Sequence, residues 1–245
     1  MTNSKPEKNQ TGNHFIDWRH KNAPAWLYQG LHALPAMLWS IAMPFQHIAS
    51  IRKRYPSVHR GIGYFILAGS LVLSLTGYTL VIRDIAHSHA DPWHMHDLNG
   101  VSPIPWPTFE ATLWALGPVY LLTLFKTATA ARRKDFQAHE RWAVLHTVSA
   151  YVISLERLVV LASYIVGFAL AAGVDKEWLL KKLNDLPDTV AAKAEVEMDI
   201  FALASVFAFI MAVLWLAYVW AEAGRLSLPW QWNDNNSVGK EKKVR

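Results

Sequence analysis

The stretch Trp142–Ala172 reads WAVLHTVSAYVISLERLVVLASYIVGFALAA and decides the fold. Its 31 residues can cross a bilayer as a helix, since about 20 residues span roughly 30 Å of hydrocarbon. Three ionisable side chains nevertheless lie inside it, namely His146, Glu156 and Arg157. A charge at membrane depth costs from about 3 to more than 10 kcal/mol unless it is paired or hydrated. The stretch therefore predicts a membrane-spanning helix with one face turned toward a protein interior.

Four further apolar stretches have the length of a membrane span. Together they predict an all-α, polytopic helix bundle with about five transmembrane helices, at 24–51, 61–82, 108–130, 142–172 and 200–221. Pro35 and Pro44 should bend the first span or release backbone carbonyls. The fifth span has no ionisable side chain before Glu222 and is expected to form a lipid-facing wall. The bundle occupies residues 24–226, between a polar, partly disordered segment at 1–23 and a basic tail at 227–245.

Composition supports a membrane protein and narrows its chemistry. Of the 245 residues, 52% are apolar and 12 are Trp, several of them near predicted span ends as in an aromatic belt. The absence of Cys excludes disulfides, thiolate metal sites and cysteine nucleophiles. The net charge of +5 comes from basic residues beside apolar stretches, which is typical of membrane topology and not of nucleic-acid binding. The expected partner is the lipid bilayer of a bacterial inner membrane. Other membrane protein subunits are a second possible kind of partner.

The distribution of basic residues sets the expected orientation. The connectors after the first and third spans are short, and positively charged short loops remain in the cytoplasm. Their basic residues are Arg52, Lys53, Arg54 and Arg60, then Arg132, Arg133, Lys134 and Arg141. We therefore expect the N-terminus outside and the C-terminus in the cytoplasm.

The fourth span carries a polar stripe. His139, His146 and Arg157 are separated by 7 and 11 residues, so at about 100° per residue they point in nearly one direction. That face should point into the bundle, whereas Glu156 lies about 100° away and pairs with a neighbouring helix or lines the same cavity. Two interpretations stay open. The charges are structural groups satisfied by other helices, or they mark a proton, ion or ligand path.

Histidines at matching depth suggest a cofactor. His47 in the first span and His146 in the fourth each lie about 6–8 Å inside the cytoplasmic boundary. Two histidines at one depth are the minimum for bis-imidazole ligation of a b-type haem, and the same pair could bind quinone or carry protons. The alternative is that both only form hydrogen bonds within the bundle. His32 has no histidine partner at its depth and joins Glu156 and Arg157 in the predicted polar core.

The loop after the second span is rich in histidine. Two His-x-His pairs and two carboxylates fall within 11 residues: His87, His89, Asp91, His94, His96 and Asp97. Imidazole and carboxylate ligands suit Zn or Cu, although the spacing matches no fixed metal motif. A metal site is one hypothesis for this loop, and an ordinary polar loop is the other.

Two motifs resemble one family of membrane proteins. Residues 43–64, MPFQHIASIRKRYPSVHRGIGY, look like the first helix-turn-helix of the family called domain of unknown function 2306. Residues 132–142, RRKDFQAHERW, are similar to the basic turn of that family and the His, Arg and Trp that follow it. The resemblance covers residues 25–165 and departs at Leu145, where the family usually carries an Arg. It implies a multi-spanning membrane protein and brings no established activity.

These observations lead to three functional hypotheses. The first is a b-haem or quinone- and proton-linked redox module, with His47, His59, His139 and His146 as the candidate cofactor site at the cytoplasmic end. The second is a non-catalytic accessory or assembly subunit of a membrane complex, favoured by the uncharged fifth span. The third is metal or proton transport, suggested by the His-rich loop and Arg157. The sequence does not decide whether the protein is an enzyme, and on balance it favours a non-catalytic role.

Overall fold

The chain folds into a bundle of long helices. The computed structural model describes residues 23–83, 85, 91, 93–182 and 189–223. A π-helical segment (Trp26–Ala33) continues into α1 (Leu34–His47), which is followed by α2 (Ala49–Arg54) and α3 (Pro56–Ile82). An antiparallel ribbon of β1 (Met95–His96) and β2 (Trp106–Pro107) precedes α4 (Phe109–Arg132) and α5 (Phe136–Gly173). Helices α6 (Lys176–Lys182) and α7 (Val190–Ala223) follow. The predicted all-α class is confirmed.

Among the described residues, three helical stretches are long and apolar enough to cross a bilayer, namely Pro56–Ile82, Phe136–Gly173 and Ala192–Tyr218. They indicate an integral membrane protein. The first and third predicted spans are also helical, but α1 alone has 14 residues, and α4 carries Lys126 in its apolar sequence. The number of about five spans and the direction of the termini therefore stay predictions. Residues 1–22 and 224–245, which hold most of the predicted N-terminal segment and the basic tail, lie outside the described residues.

The prolines of the first span coincide with changes in the helix. The N–H of Leu34 bonds to the carbonyl of Gln29, five residues back, as in a π-helix. The helix changes to α geometry where Pro35, which has no N–H to donate, enters its first turn. Pro44 lies in the last turn of α1, which ends at Ile48 with ψ at 110°. The predicted distortion of this span is present at both positions.

Helix α7 differs from the predicted lipid-facing wall. It begins at Val190, well before the predicted start of the fifth span, so it includes the charged residues Glu197 and Asp199. One side is buried, with Phe201 and Ala208 packed into the bundle against α4 and α5. The expected outer wall therefore also has a buried face, because small residues along α7 allow close approach to α5, while Phe207, Ile210 and Leu214 are exposed on the helix.

The core joins four helices at mid-height of the bundle. Trp39 and Met43 of α1 pack with Ile66 of α3, Tyr120 of α4 and Ala150 of α5. Capping side chains mark the starts of α4 and α5, since Thr108 accepts from Ala111 N at 3.2 Å and Asp135 accepts from Ala138 N at 3.0 Å. These contacts set the relative positions of the helices around the site described next.

Candidate functional site

His146 lies at the centre of a buried hydrogen-bond network. Its side chain is 1% exposed. Nε2 lies 2.9 Å from the Ser70 hydroxyl of α3, and Nδ1 lies 3.2 Å from the Thr123 hydroxyl of α4. Trp39 of α1 donates its indole N–H to the same Ser70 hydroxyl at 2.8 Å. The imidazole of α5 is thereby tied to α3 and α4 directly and to α1 through Ser70.

The donors of this network set the direction of its hydrogen bonds. An indole N–H only donates, so the Ser70 oxygen accepts from Trp39, and its own proton is available to His146 Nε2. Thr123 donates to the Tyr120 carbonyl at 2.9 Å and therefore accepts from His146 Nδ1. This pattern corresponds to a neutral imidazole with its proton on Nδ1. A haem iron at either nitrogen would have to displace one of these bonds.

An apolar cavity lies against the network. It is partly open, has a volume of about 130 Å³ and lies between the π-helical segment, α1, α3, α4 and α5. Trp39 and Tyr120 belong to its lining and also pack on the His146 ring, with centroid distances of 6.5 and 4.8 Å. A mostly apolar lining with a few polar groups is typical of a small-molecule site, and the volume of this cavity is below the roughly 300–1,000 Å³ of most such sites. Its polar lining groups include His32, Ser40, Ser74, Tyr78, Ser154 and Arg157.

His32 is held in a fixed orientation in the cavity wall. Its Nδ1 lies 2.9 Å from the Thr76 hydroxyl oxygen, and Thr76 donates to the Val72 carbonyl at 2.8 Å. The Thr76 oxygen therefore accepts a hydrogen bond from Nδ1–H of His32, and Nε2 is the unprotonated ring nitrogen. The ring also stacks on Tyr28, with a centroid distance of 6.4 Å.

Arg157 and Glu156 form an ion pair at membrane depth. Arg157 Nη1 lies 3.5 Å from Glu156 Oε1, and the guanidinium carbon lies 4.8 Å from the centroid of the Phe201 ring of α7. The side chain of Glu156 is 2% exposed, whereas that of Arg157 is 41% exposed and lines the cavity. Of the two charges, Glu156 is thus the more deeply buried, although the predicted stripe turned Arg157 inward. The reason is that α7 covers this side of α5 at the level of Phe201.

The other predicted cofactor histidines gather at one end of the bundle. His47 Nε2 lies 3.0 Å from the Thr147 hydroxyl, so His47 sits at the level of His146. His139 Nδ1 donates to the Thr127 carbonyl at 3.0 Å. His59 is within electrostatic range of both His47 and His139. The structure therefore groups three of the four histidines, while His146 belongs to the core network.

The described part of the His-rich loop is attached to α7. Nδ1 of His96 bonds to the carboxylate of Asp199, and both side chains are buried. Trp106 donates its indole N–H to the Asp199 carbonyl at 3.1 Å. The His94 and His96 rings meet edge to face at 5.1 Å. Within the described residues no three His, Asp or Glu side chains converge as metal ligands, and His87 and His89 lie outside those residues. The Zn or Cu site stays a hypothesis.

Several functional partners were not predicted from the sequence. Ser70, Thr123 and Asp199 were not among the predicted site residues. Hydroxyl residues inside apolar spans were the available signal for Ser70 and Thr123, because such groups often hydrogen-bond across helices in membranes. Nothing local to Asp199 indicates a partner 103 residues away.

No family model, curated protein or solved structure matches this chain. The resemblance to the family called domain of unknown function 2306 therefore stays a prediction from the motifs at 43–64 and 132–142. What the protein does has to be argued from the cavity and the polar groups around it.

Proposed function

We propose that this integral membrane protein binds a lipid-soluble ligand of the quinone class in the cavity between α1, α3, α4 and α5. The observation that carries the proposal is Arg157, a cation in the wall of an otherwise largely apolar cavity at membrane depth. A quinone combines an apolar ring and tail with two carbonyl oxygens that accept hydrogen bonds. The guanidinium group supplies five N–H donors in a fixed plane and suits such an acceptor.

The remaining lining supports a flat, mostly apolar ligand. Trp39, Tyr78, Phe109 and Tyr120 provide aromatic surfaces on which a quinone ring can stack. The hydroxyls of Ser40 and Ser154 lie 3.4 Å apart across α1 and α5 and offer donors to a second carbonyl. The carboxylate of Glu156 beside Arg157 is a group through which proton exchange could be linked to binding.

A titration of the purified protein tests this proposal. Decylubiquinone, a benzoquinone with a short tail, should quench tryptophan fluorescence in a saturable manner, and decylbenzene, which has the tail without carbonyls, should bind more weakly. Arg157→Met removes the donors but keeps an unbranched apolar side chain, and we expect binding about tenfold weaker because charged hydrogen bonds contribute roughly 1.5–3 kcal/mol. The matched control is Lys126→Met, which removes an exposed cation outside the cavity. Equal losses in both variants would contradict the proposal.

A b-type haem held by His47 and His146 is the second candidate function. It is favoured by the position of His47, which contacts the residue next to His146. It requires His146 to give up Ser70 or Thr123 as a hydrogen-bond partner. A Soret band in the purified protein that disappears in His47→Ala would support the haem, and a folded, colourless preparation would reject it.

The accessory-subunit and transport hypotheses have their own tests. An accessory subunit should co-purify with a membrane partner at fixed stoichiometry in mild detergent, and a solitary monomer would count against this role. Metal transport through the outer loop should weaken when His87, His89, His94 and His96 are replaced by Ala.

A further inference from the structure

Charged side chains are segregated between the two ends of the bundle. Residues 52–60 and 132–141 carry eight Lys or Arg against two acids. At the opposite end, the described residues carry five Lys or Arg against eight Asp or Glu. We call the first of these the basic end and define it by α2, the start of α3, and the turn between α4 and α5. The contrast between the ends indicates that each meets a different electrostatic environment.

The two basic turns form one surface although they are distant in sequence. Arg52 of α2 pairs with Glu140 of α5 at 3.1 Å, and His59 of α3 lies within electrostatic range of His139 of α5. Both acids of the basic end are already engaged, since Glu140 bonds to Arg52 and Asp135 caps α5 by accepting from Ala138 N at 3.0 Å. The surface therefore presents a surplus of positive charge on both turns.

Apolar side chains lie among these cations. Tyr55, which immediately precedes α3, is 50% exposed, and Phe136, the first residue of α5, is 70% exposed. The guanidinium carbon of Arg54 lies 5.6 Å from the Tyr55 ring centroid. Exposed aromatic rings next to Lys and Arg, at the start of two apolar spans, are typical of the headgroup level of a bilayer. This mixture favours a lipid partner over nucleic acid or a soluble acidic protein.

We propose that the basic end binds the phosphate headgroups of anionic phospholipids between α2 and the α4–α5 turn. Lys53, Arg54 and Arg133 are the exposed cations that we assign to this contact. Arg52 has a different role, because its pairing with Glu140 holds the two turns together. This site is separate from the cavity and does not depend on what the cavity binds.

Native mass spectrometry of the purified protein with added phosphatidylglycerol or phosphatidylcholine tests the proposal. The wild-type chain should retain phosphatidylglycerol in preference to phosphatidylcholine. The variant Lys53→Gln/Arg54→Gln/Arg133→Gln should retain phosphatidylglycerol at least tenfold more weakly, because each basic residue near an anionic surface contributes a factor of about five. The matched control is Lys176→Gln/Lys181→Gln/Lys182→Gln, which removes the same charge from the opposite end and should keep the preference.

Two results would overturn the proposal. One is equal retention of the two lipids by the wild-type chain. The other is an equal loss of phosphatidylglycerol in both triple variants, which would show that total charge and not the basic end governs retention. All six substituted side chains are exposed, so both variants are expected to fold, and an unchanged melting temperature checks that they do.

Discussion

The side chain of His146 hydrogen-bonds to Ser70 of α3 and Thr123 of α4, and Ser70 connects it to Trp39 of α1. His146→Phe would keep a flat aromatic ring, slightly larger than imidazole, but leave the hydroxyls of Ser70 and Thr123 without their imidazole partner. We expect a loss of about 1–3 kcal/mol in the free energy of unfolding, since this is the usual penalty for stranded buried polar groups. Thermal unfolding in detergent measures it. The control His47→Phe removes an exposed contact to Thr147 and should lower the melting temperature much less; equal effects would contradict a central role for His146.

Gly117 of α4 leaves room for the Tyr78 ring of α3. A Cβ at this position would overlap the Tyr78 hydroxyl oxygen and lie 2.7 Å from Cζ of the same ring, which lines the cavity. Gly117→Ala should therefore displace Tyr78, destabilise the protein and weaken quinone binding. Gly61→Ala is the matched control, because nothing lies within 4 Å of its Cβ, and Ala is the better helix former by about 0.8–1 kcal/mol. Equal melting temperatures for the two variants would show that Tyr78 adapts freely.

Prediction of single residues from the sequence succeeded where helical periodicity determines which way a side chain points. The 3.6-residue repeat turns His146 inward, and the structure buries it. The same repeat turns Arg157 inward, and Arg157 lines the cavity. It does not show that Glu156 is the more buried of the two, because that depends on α7, whose position on α5 cannot be read from the fourth span alone. The cavity could not be foreseen either, since its lining comes from helices whose packing is non-local.

Among the elements, the ribbon of β1 and β2 is fastened to α7 by two side chains. Asp199→Ala removes the carboxylate to which His96 is bonded. It leaves in place the hydrogen bond from the Trp106 indole N–H to the backbone carbonyl of residue 199. We expect amide hydrogen exchange across residues 95–107 to accelerate by about tenfold, as a buried charged hydrogen bond is lost. Glu195→Ala removes an exposed carboxylate from the same end of α7 and should leave the exchange rates unchanged. Unaltered exchange in Asp199→Ala would show that the ribbon is held by other contacts.

The start of α4 was predicted to within one residue, since the third span was expected from residue 108 and Thr108 caps this helix. Helix α5 begins at Phe136, after its cap Asp135, and so extends before the predicted span, which starts at Trp142. The start of α7 was missed, because the hydrophobic pattern marks only the membrane-embedded part of a helix. It does not show how far the helix continues into polar sequence beyond that part. The π-helical segment was foreseen only as a distortion near Pro35.

For the whole molecule, the segregation of charge fixes the expected orientation across the membrane. The absence of Cys makes single-cysteine labelling clean. Lys53→Cys lies at the basic end and Lys176→Cys at the opposite end, and both positions are exposed. A membrane-impermeant maleimide applied to intact cells should label Lys176→Cys and spare Lys53→Cys. The reverse labelling pattern would show that the orientation is the opposite of the one expected. Labelling of both variants would contradict the placement of the two ends on opposite sides of the membrane.

The central claim concerns the cavity, and photolabelling with an azido-benzoquinone that carries a short alkyl tail tests it most directly. Peptide mapping of the illuminated protein should find the label in the cavity-lining segments 32–40, 73–81, 109–120 and 150–157, and excess decylubiquinone should suppress it. Label that spreads over the exposed face of α7, or that persists in the presence of the competitor, would contradict a quinone-class site between α1, α3, α4 and α5.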